Sequence, residues 1–186
     1  MISVPSNRRL VLATFAASLL PMREAVAQTA AAGGDWFAMI QQHHALVAKT
    51  FDRLLASQKA TYLARERLVR TLNYQLTAHS VAEENVIYPA IAMAGLRPES
   101  DKLYMDQAHT KVMNSTLELQ TAMKDKGNWM QPATTLRDAV LKHAKDDEEG
   151  RLYPQLRSKL TAAENALLTA NYQREFNSVK PVQVAA

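Results

Sequence analysis

The chain has 186 residues, of which 47% are apolar and 6% aromatic, with five glycines and seven prolines. This length fits one domain of ordinary size, and the composition favours helices over a β-sandwich or barrel. The absence of cysteine excludes disulfide scaffolds, thiolate zinc sites, iron–sulfur clusters and cysteine nucleophiles. Any metal chemistry must therefore come from histidines and carboxylates.

The first 27 residues have the pattern of an export signal. Arg8 and Arg9 precede an uncharged apolar run of eleven residues, Leu10 to Leu20, and the small residues Ala25-Val26-Ala27 follow in the arrangement that signal peptidase cleaves. The run is about half the roughly 20 residues that cross a bilayer, so we expect no stable membrane insertion after cleavage. The arginine pair resembles a twin-arginine signal, with a general secretory signal as the alternative. Both predict an exported, periplasmic protein.

The chain that remains after cleavage is close to neutral. Its formal charge falls from +4 to +2, because residues 1–27 contain three basic residues and one acidic residue. A charge this small and scattered predicts neither nucleic acid nor anionic lipid as a partner. Residues 28–34 are mainly small, with three alanines and two glycines, and we interpret them as a flexible linker.

An all-α, up-down-up-down four-helix bundle is predicted over residues 35–158. Asp35 is suited to cap the first helix, in which inward residues between Phe37 and Leu54 recur at steps of three and four. The second helix is predicted over Tyr62–Tyr88, and Pro89 should end it because proline lacks a backbone N–H. The connections are short, so neighbouring helices should be antiparallel.

The third helix follows the turn marked by Gly95 and Pro98. Its inward stripe is expected to consist of Met105, His109, Val112, Thr116, Leu119 and Met123. The fourth helix should begin near Pro132 and run to Tyr153. The capping-box pattern Thr161-Ala162-Ala163-Glu164 predicts a short extra helix, so residues 159–186 are interpreted as a C-terminal helix and tail.

A histidine occupies an inward position on each of the four predicted helices. A single buried histidine is most often a structural, hydrogen-bonded residue, but here every predicted helix has a histidine at an inward position. Glu83 lies one turn beyond the histidine of the second helix, and a buried carboxylate without a counter-charge costs several kcal/mol. These groups therefore predict a bound cation, and carboxylates reaching the axis from two helices favour two ions over one. The four histidines are His44, His79, His109 and His143.

Two of these positions have alternatives. His43 and His44 are adjacent, and His44 is preferred because it keeps the three-four spacing of the first helix. On the fourth helix, Asp147 lies four residues after His143 and shares its face in a regular α-helix. However, the segment 79–89 and the segment 143–154 both end in paired glutamates, an apolar residue, Tyr and Pro. Counting back from Tyr-Pro aligns Glu148 with Glu83, and a π-type bulge would turn Glu148 inward.

This set of residues resembles the hemerythrin family, specifically the HHE cation-binding domain. The resemblance covers about residues 36–157 and includes the His79-x-x-x-Glu83 pair and the His143 segment with its acidic residue. Hemerythrins place the fourth-helix carboxylate five residues after its histidine, which favours Glu148 over Asp147. The resemblance implies a non-haem centre of two iron ions, with manganese or zinc as less favoured metals. By resemblance, one iron would bind His44 and His79, the other His109 and His143, and Glu83 and Glu148 would bridge them.

The resemblance also implies a function. It predicts a protein that binds or senses dioxygen, nitric oxide or another small diatomic ligand, or handles iron, rather than an enzyme. Oxygen-carrying hemerythrins have a second histidine on the third helix, where this chain has Met113, a poor ligand for ferric iron. The position left open makes a di-iron oxidase or peroxidase the alternative. A metal-free structural bundle is the third possibility.

Overall fold

The computed structural model describes residues 34–124 and 127–181. Residues 1–27, predicted to be a signal segment, and residues 28–33 of the predicted linker lie outside this described part of the chain. Within it, no helix combines the length and the apolar character that crossing a membrane requires.

The described residues form an all-α bundle with an extra C-terminal helix, as predicted. A π-helical segment, Glu83–Ile87, joins α2 to α3 without a break, and a longer one, His143–Leu152, joins α5 to α6. The bundle therefore has four long helical rods and a fifth helix, α7. The α-helices are α1 (Trp36–Leu55), α2 (Tyr62–Ala82), α3 (Tyr88–Met93), α4 (Arg97–Ala122), α5 (Met130–Lys142), α6 (Tyr153–Lys159) and α7 (Ala162–Ser178).

Side-chain caps fix the starts of α1 and α7. The Asp35 carboxylate accepts a hydrogen bond from the backbone N–H of Ala38 at 3.1 Å. At α7, the Thr161 hydroxyl accepts from the Glu164 N–H at 3.3 Å, and the Glu164 carboxylate accepts from the Thr161 N–H at 2.8 Å. Both caps satisfy backbone donors that the first turn of a helix otherwise leaves unpaired.

The second long rod does not end at Tyr88, as the sequence predicted from Pro89. In the first π-helical segment, the Tyr88 N–H donates to the Glu83 carbonyl, and the chain continues as α3. The second segment repeats this arrangement, with the Tyr153 N–H bonded to the Glu148 carbonyl ahead of Pro154. Each proline thus falls in the first turn of the next helix, where a missing N–H costs little.

A polar layer divides the core of the bundle in two. One apolar cluster contains Ile40, and the other contains Val47, about two turns further along α1. His44 lies between them and is buried. His79 on α2 and His143 after α5 likewise separate residues of the two clusters, so the buried histidines occupy one level of the bundle.

The buried face of α4 differs from the predicted stripe. Met105, Val112 and Leu119 are 66%, 67% and 68% exposed, and His109 is exposed as well. The residues that do face the core keep the three-four rhythm but are displaced by two positions. Because several of them are polar, hydrophobic periodicity selected the wrong face. The buried residues of α4 are Ser100, Leu103, Gln107, Leu117 and Thr121.

Candidate metal centre

Four side chains converge in the polar layer. His44 comes from α1, His79 from the last turn of α2, and Glu83 and Glu148 from the two π-helical segments. One nitrogen or oxygen from each lies within 4.8 Å of the others. All four residues are buried, and the two glutamates are completely so. Two imidazoles and two carboxylates in one buried place are a suitable donor set for a transition metal.

The distances within this cluster fit a cation. His44 Nε2 lies 3.1 Å from His79 Nε2, and His79 Nε2 lies 3.0 Å from Glu83 Oε2. Glu148 Oε2 is 3.3 Å from His44 Nε2, yet within the described residues this fully buried oxygen has no hydrogen bond. An unpaired carboxylate oxygen in the core is strongly unfavourable. A cation bound between these four atoms would satisfy it, so the residues present fit a metal.

His143 approaches the same carboxylate from the other side. Its Nε2 lies 3.0 Å from Glu148 Oε1, and its Nδ1 points outward, 3.4 Å from Asp106 Oδ2. Lys102 donates to the carboxylates of Asp106 and Asp147 at 2.6 Å and 3.0 Å. Asp106, His143 and Asp147 form a second group of possible ligands, but the Lys102 ammonium already supplies its positive charge. The Nε2 side of His143 is thus the one that faces the buried cluster.

The structure brings Glu148, and not Asp147, into the centre. The wide turns of the segment His143–Leu152 place the residue five positions after His143 on the interior side. Asp147 lies outside and is paired with Lys102 and, at 3.1 Å, with Arg151. The predicted bulge is therefore present, and it extends over ten residues. The matching π-helical segment at Glu83 was not anticipated, although the internal repeat could have indicated it.

Of the two adjacent histidines, His44 faces the cluster and His43 faces α7. The His43 ring stacks on Phe176 with 3.8 Å between ring centroids. The hydroxyl of Tyr172, a fully buried residue of α7, lies 2.9 Å from His43 Nδ1 and 3.3 Å from His79 Nδ1. Burial first, and then the neighbouring imidazoles of His79 and His44, lower the pKa of His43 to about 4.

His109 is not part of the centre. It is exposed and lines a separate cavity of about 190 Å³ beside Met113 and the outer edge of His143. The prediction that it would hold the second ion with His143 therefore needs correction, because the register of α4 turns it away. The inward residue of α4 is Gln107. Its amide donates to Glu83 Oε2 at 2.9 Å and accepts from the Ser80 hydroxyl at 2.9 Å.

Two tyrosines of the internal repeat complete the buried network. Tyr88 Oη donates to Glu148 Oε1 at 2.9 Å, and Tyr153 Oη donates to the same oxygen at 2.7 Å and also to Glu83. Burial, and then the charges of Glu148 and Glu83, raise the pKa of both phenols well above its usual value. The metal-free protein thus keeps both as hydrogen-bond donors. The Tyr-Pro repeat is visible in the sequence, but the sequence does not indicate that its tyrosines contact the buried glutamates.

The glutamates hold protons on two of the histidines when no metal is bound. Burial alone would lower the pKa of His44, but its contacts with the carboxylates of Glu148, at 3.3 Å, and Glu149, at 2.6 Å, outweigh it and raise the pKa to about 10. For His143, burial is likewise outweighed by the charge of Glu148, and the pKa rises to about 9. Burial would raise the pKa of Glu149, but its contacts with His44, at 2.6 Å, and with Lys145 lower it to about 2. In the metal-free protein, the protonated imidazoles of His44 and His143 therefore supply positive charge that a bound cation would otherwise supply.

We expect the metal-free protein to lose stability as the pH rises above neutrality. Protonated His44 and His143 stabilise the fold fully below their unfolded pKa of 6.5, and this contribution disappears as the pH rises through 9 to 10. The free energy of unfolding should fall by at most about 1.4 kcal/mol per pH unit for each histidine. Metal binding requires neutral imidazoles, so the affinity for metal should increase over the same range.

Urea unfolding of chelator-treated protein, with a zinc titration at each pH, measures both effects. Zinc is suitable because it has no redox chemistry. A free energy of unfolding that increases between about pH 6.5 and 9 would contradict the pairing of these histidines with Glu148.

A cavity gives access to the centre. It has a volume of about 220 Å³ and extends from exposed Lys111 to the buried histidines. Its wall includes the apolar side chains of Leu76 and Val140. His44, His79 and His143 all line it. A small molecule in this cavity would therefore contact the side of the centre that carries the imidazoles.

The helical fold and its buried His/Glu cluster define a bundle protein with the ligands for a metal centre. Comparison with protein families matches residues 36–156 to the hemerythrin HHE cation binding domain. The match covers about two thirds of the chain, and the protein belongs to this family. Comparison with curated proteins gave no match, and comparison with solved structures gave none either.

Proposed function

We propose that this hemerythrin-type protein binds two iron ions and uses them to bind or sense a small diatomic molecule such as dioxygen or nitric oxide. The convergence of His44, His79, Glu83 and Glu148 around an unpaired buried carboxylate oxygen carries this proposal. When bound, iron would supply reversible one-electron chemistry and open coordination positions. His143 on the other side of Glu148 supports a second ion.

The side chains around the centre perform three tasks. The carboxylates of Glu83 and Glu148 neutralise the charge of the ions within a core that excludes water. Glu149 and Asp106 contact the outer nitrogens of His44 and His143, which orients the inner nitrogens toward the centre. The cavity that the three histidines line would admit a diatomic ligand and surround it with apolar, amide and hydroxyl side chains.

Reconstitution tests the proposal directly. The protein is purified in chelator, loaded anaerobically with ferrous iron and analysed for metal, and its optical spectrum is recorded before and after exposure to air. We expect about two ions per chain, with a spectrum that changes in air and returns on removal of the gas. A protein that retains no iron after loading would contradict the proposal and favour a metal-free structural bundle.

A di-iron oxidase or peroxidase is the second candidate. The cavity of about 220 Å³ is several times the roughly 30 Å³ that a water molecule occupies in the liquid, so it has room for a substrate larger than a diatomic gas. Steady consumption of dioxygen or peroxide in the presence of a reductant would favour this candidate. A spectrum that cycles without net consumption would favour binding.

We also propose that the protein is exported to the periplasm. The arginine pair Arg8-Arg9, the apolar run Leu10 to Leu20 and the small residues before Gln28 support this proposal. A twin-arginine signal would suit a protein that acquires its metal before export.

A further inference from the structure

The carboxylates of Glu83 and Glu148 face different potential metal ligands on their two sides. On the side of His44, two histidine nitrogens face two carboxylate oxygens. On the side of His143, one histidine nitrogen faces the carboxylates. The single histidine of α4, His109, is exposed and gives that side no second imidazole. An ion there would need another protein donor.

We propose that Tyr88 supplies this donor, as a phenolate oxygen bound to the ion on the His143 side. The inference rests on the proposed function and extends it by naming a ligand of another chemical type. Tyr88 Oη lies 3.3 Å from His143 Nε2, 2.9 Å from Glu148 Oε1 and 3.3 Å from Glu83 Oε2. It is thus near a potential ligand atom of both residues that face this side, His143 and Glu148, and near the Glu83 oxygen that also contacts His79.

These distances are those expected between ligands of one metal ion. Nitrogen and oxygen donors bind at about 2.0–2.2 Å, so adjacent donors in octahedral or tetrahedral geometry lie about 2.8–3.6 Å apart. The three distances from Tyr88 Oη fall within this range, as does the 3.0 Å between His143 Nε2 and Glu148 Oε1. The corresponding distances around His44 and His79 are 3.0–3.3 Å. By this measure both sides have the dimensions of a coordination site.

The surrounding residues hold Tyr88 in this position. Gln107 Nε2 donates to its hydroxyl oxygen at 3.0 Å, and the Ser100 hydroxyl donates to its backbone carbonyl at 2.7 Å. The ring packs edge-on against Tyr104 with 5.1 Å between centroids. The phenol is therefore placed at the centre before any ion binds, and coordination needs no change of side-chain conformation.

The other nearby phenols do not have the same neighbours. Tyr153 Oη contacts the two carboxylates, but within the described residues it has no hydrogen-bond contact with a histidine. Tyr172 Oη contacts the outer nitrogen of His79. Tyr104 Oη donates to the backbone carbonyl of Glu84, away from the centre. Tyr88 is thus distinguished by its contact with the inner nitrogen of a ligand histidine.

Coordination is a simple exchange at the phenol. The O–H bond breaks, the proton leaves to solvent, and an oxygen lone pair forms the bond to the ion. A bound cation favours the deprotonated form of its ligand, and the phenolate of tyrosine is a known ligand of iron in proteins. No oxidant or reductant is required when the ion is ferric.

The test uses the absorption of ferric phenolate. Chelator-treated protein is loaded with ferrous iron and oxidised in air, and the visible spectrum, the resonance Raman spectrum and the iron content are measured. We expect a phenolate-to-iron charge-transfer band. In Tyr88→Phe the band should disappear and the second ion should bind about tenfold more weakly or worse. The matched variants Tyr153→Phe and Tyr172→Phe should keep the band.

The outcomes are distinguishable. Bound iron without the band, or a band that persists in Tyr88→Phe, would overturn this inference and leave the proposed function standing. No bound iron at all would overturn both. If Tyr88→Phe does not fold, the labelled wild-type protein decides the question together with Tyr153→Phe and Tyr172→Phe, which test the other two phenols near the centre. Ring-labelled tyrosine must then shift the phenolate vibrations in the Raman spectrum, and unshifted vibrations would refute tyrosine coordination.

Discussion

Replacing His79 by alanine should remove most of the stability that metal confers on this protein. His79 is 5% exposed, and its Nε2 is within about 3 Å of both His44 and Glu83. At a free metal concentration 100-fold above the dissociation constant, a bound ion contributes about 2.7 kcal/mol. In a domain of this size, its loss lowers the melting temperature by roughly 5–10 °C.

The measured quantity is the difference in melting temperature between metal-loaded and chelated samples, recorded with the metal content. This difference separates lost metal binding from any loss of packing in the variant. His109→Ala is the matched control, because His109 is exposed on α4 and should leave both quantities unchanged. Equal losses of bound metal in His79→Ala and His109→Ala would show that the register of α4 is wrong. Full metal content in His79→Ala would remove His79 from the ligand set.

Glu148→Ala should be the most destabilising substitution in the polar layer. The carboxylate is fully buried and accepts hydrogen bonds from Tyr88 and Tyr153, with His143 Nε2 also within 3.0 Å. Its removal leaves several buried donors unpaired and an imidazolium without its partner. We expect a loss of about 3–5 kcal/mol in the free energy of unfolding of the metal-free protein, together with loss of bound metal.

Asp147→Ala is the control for this prediction. Asp147 forms ion pairs with Lys102 and Arg151 near the surface, so the substitution should cost no more than about 1 kcal/mol and preserve the metal content. Glu148→Gln retains a hydrogen-bond acceptor of the same shape, so it should fold and still lose metal. Comparable metal loss from the Asp147 and Glu148 variants would contradict the π-helical geometry of this segment.

Hydrophobic periodicity predicted the helices whose core positions are apolar. On α1, the three-four spacing placed His44 in the interior and His43 beside it, as the structure has them. On α4, the periodicity failed because Ser100, Gln107 and Thr121 occupy core positions. A polar residue in the core is stable only if specific partners satisfy it. The sequence of one helix does not contain those partners.

The contacts of the metal centre are likewise only partly predictable from the sequence of single helices. The internal repeat pointed to Glu148 because the register of Tyr-Pro is kept in both copies. The contacts of Tyr88 and Gln107 could not be predicted in this way. Their roles depend on distances of about 3 Å between groups on different rods, which follow from how the rods pack. From the sequence alone, Tyr88 could equally be interpreted as an aromatic core residue, and Gln107 as a surface amide.

The C-terminal helix determines which nitrogen of His79 is free to bind a metal. For Nε2 to accept an ion, the proton of the neutral imidazole must reside on Nδ1, and there the partner within 3.3 Å is the hydroxyl oxygen of Tyr172. That oxygen, accepting from His79, directs its own hydrogen to His43 Nδ1 at 2.9 Å. The tautomer of a ligand is thus selected by α7, which lies beyond the residues matched to the family. The smallest unit with a correctly prepared imidazole is therefore longer than the four-rod bundle.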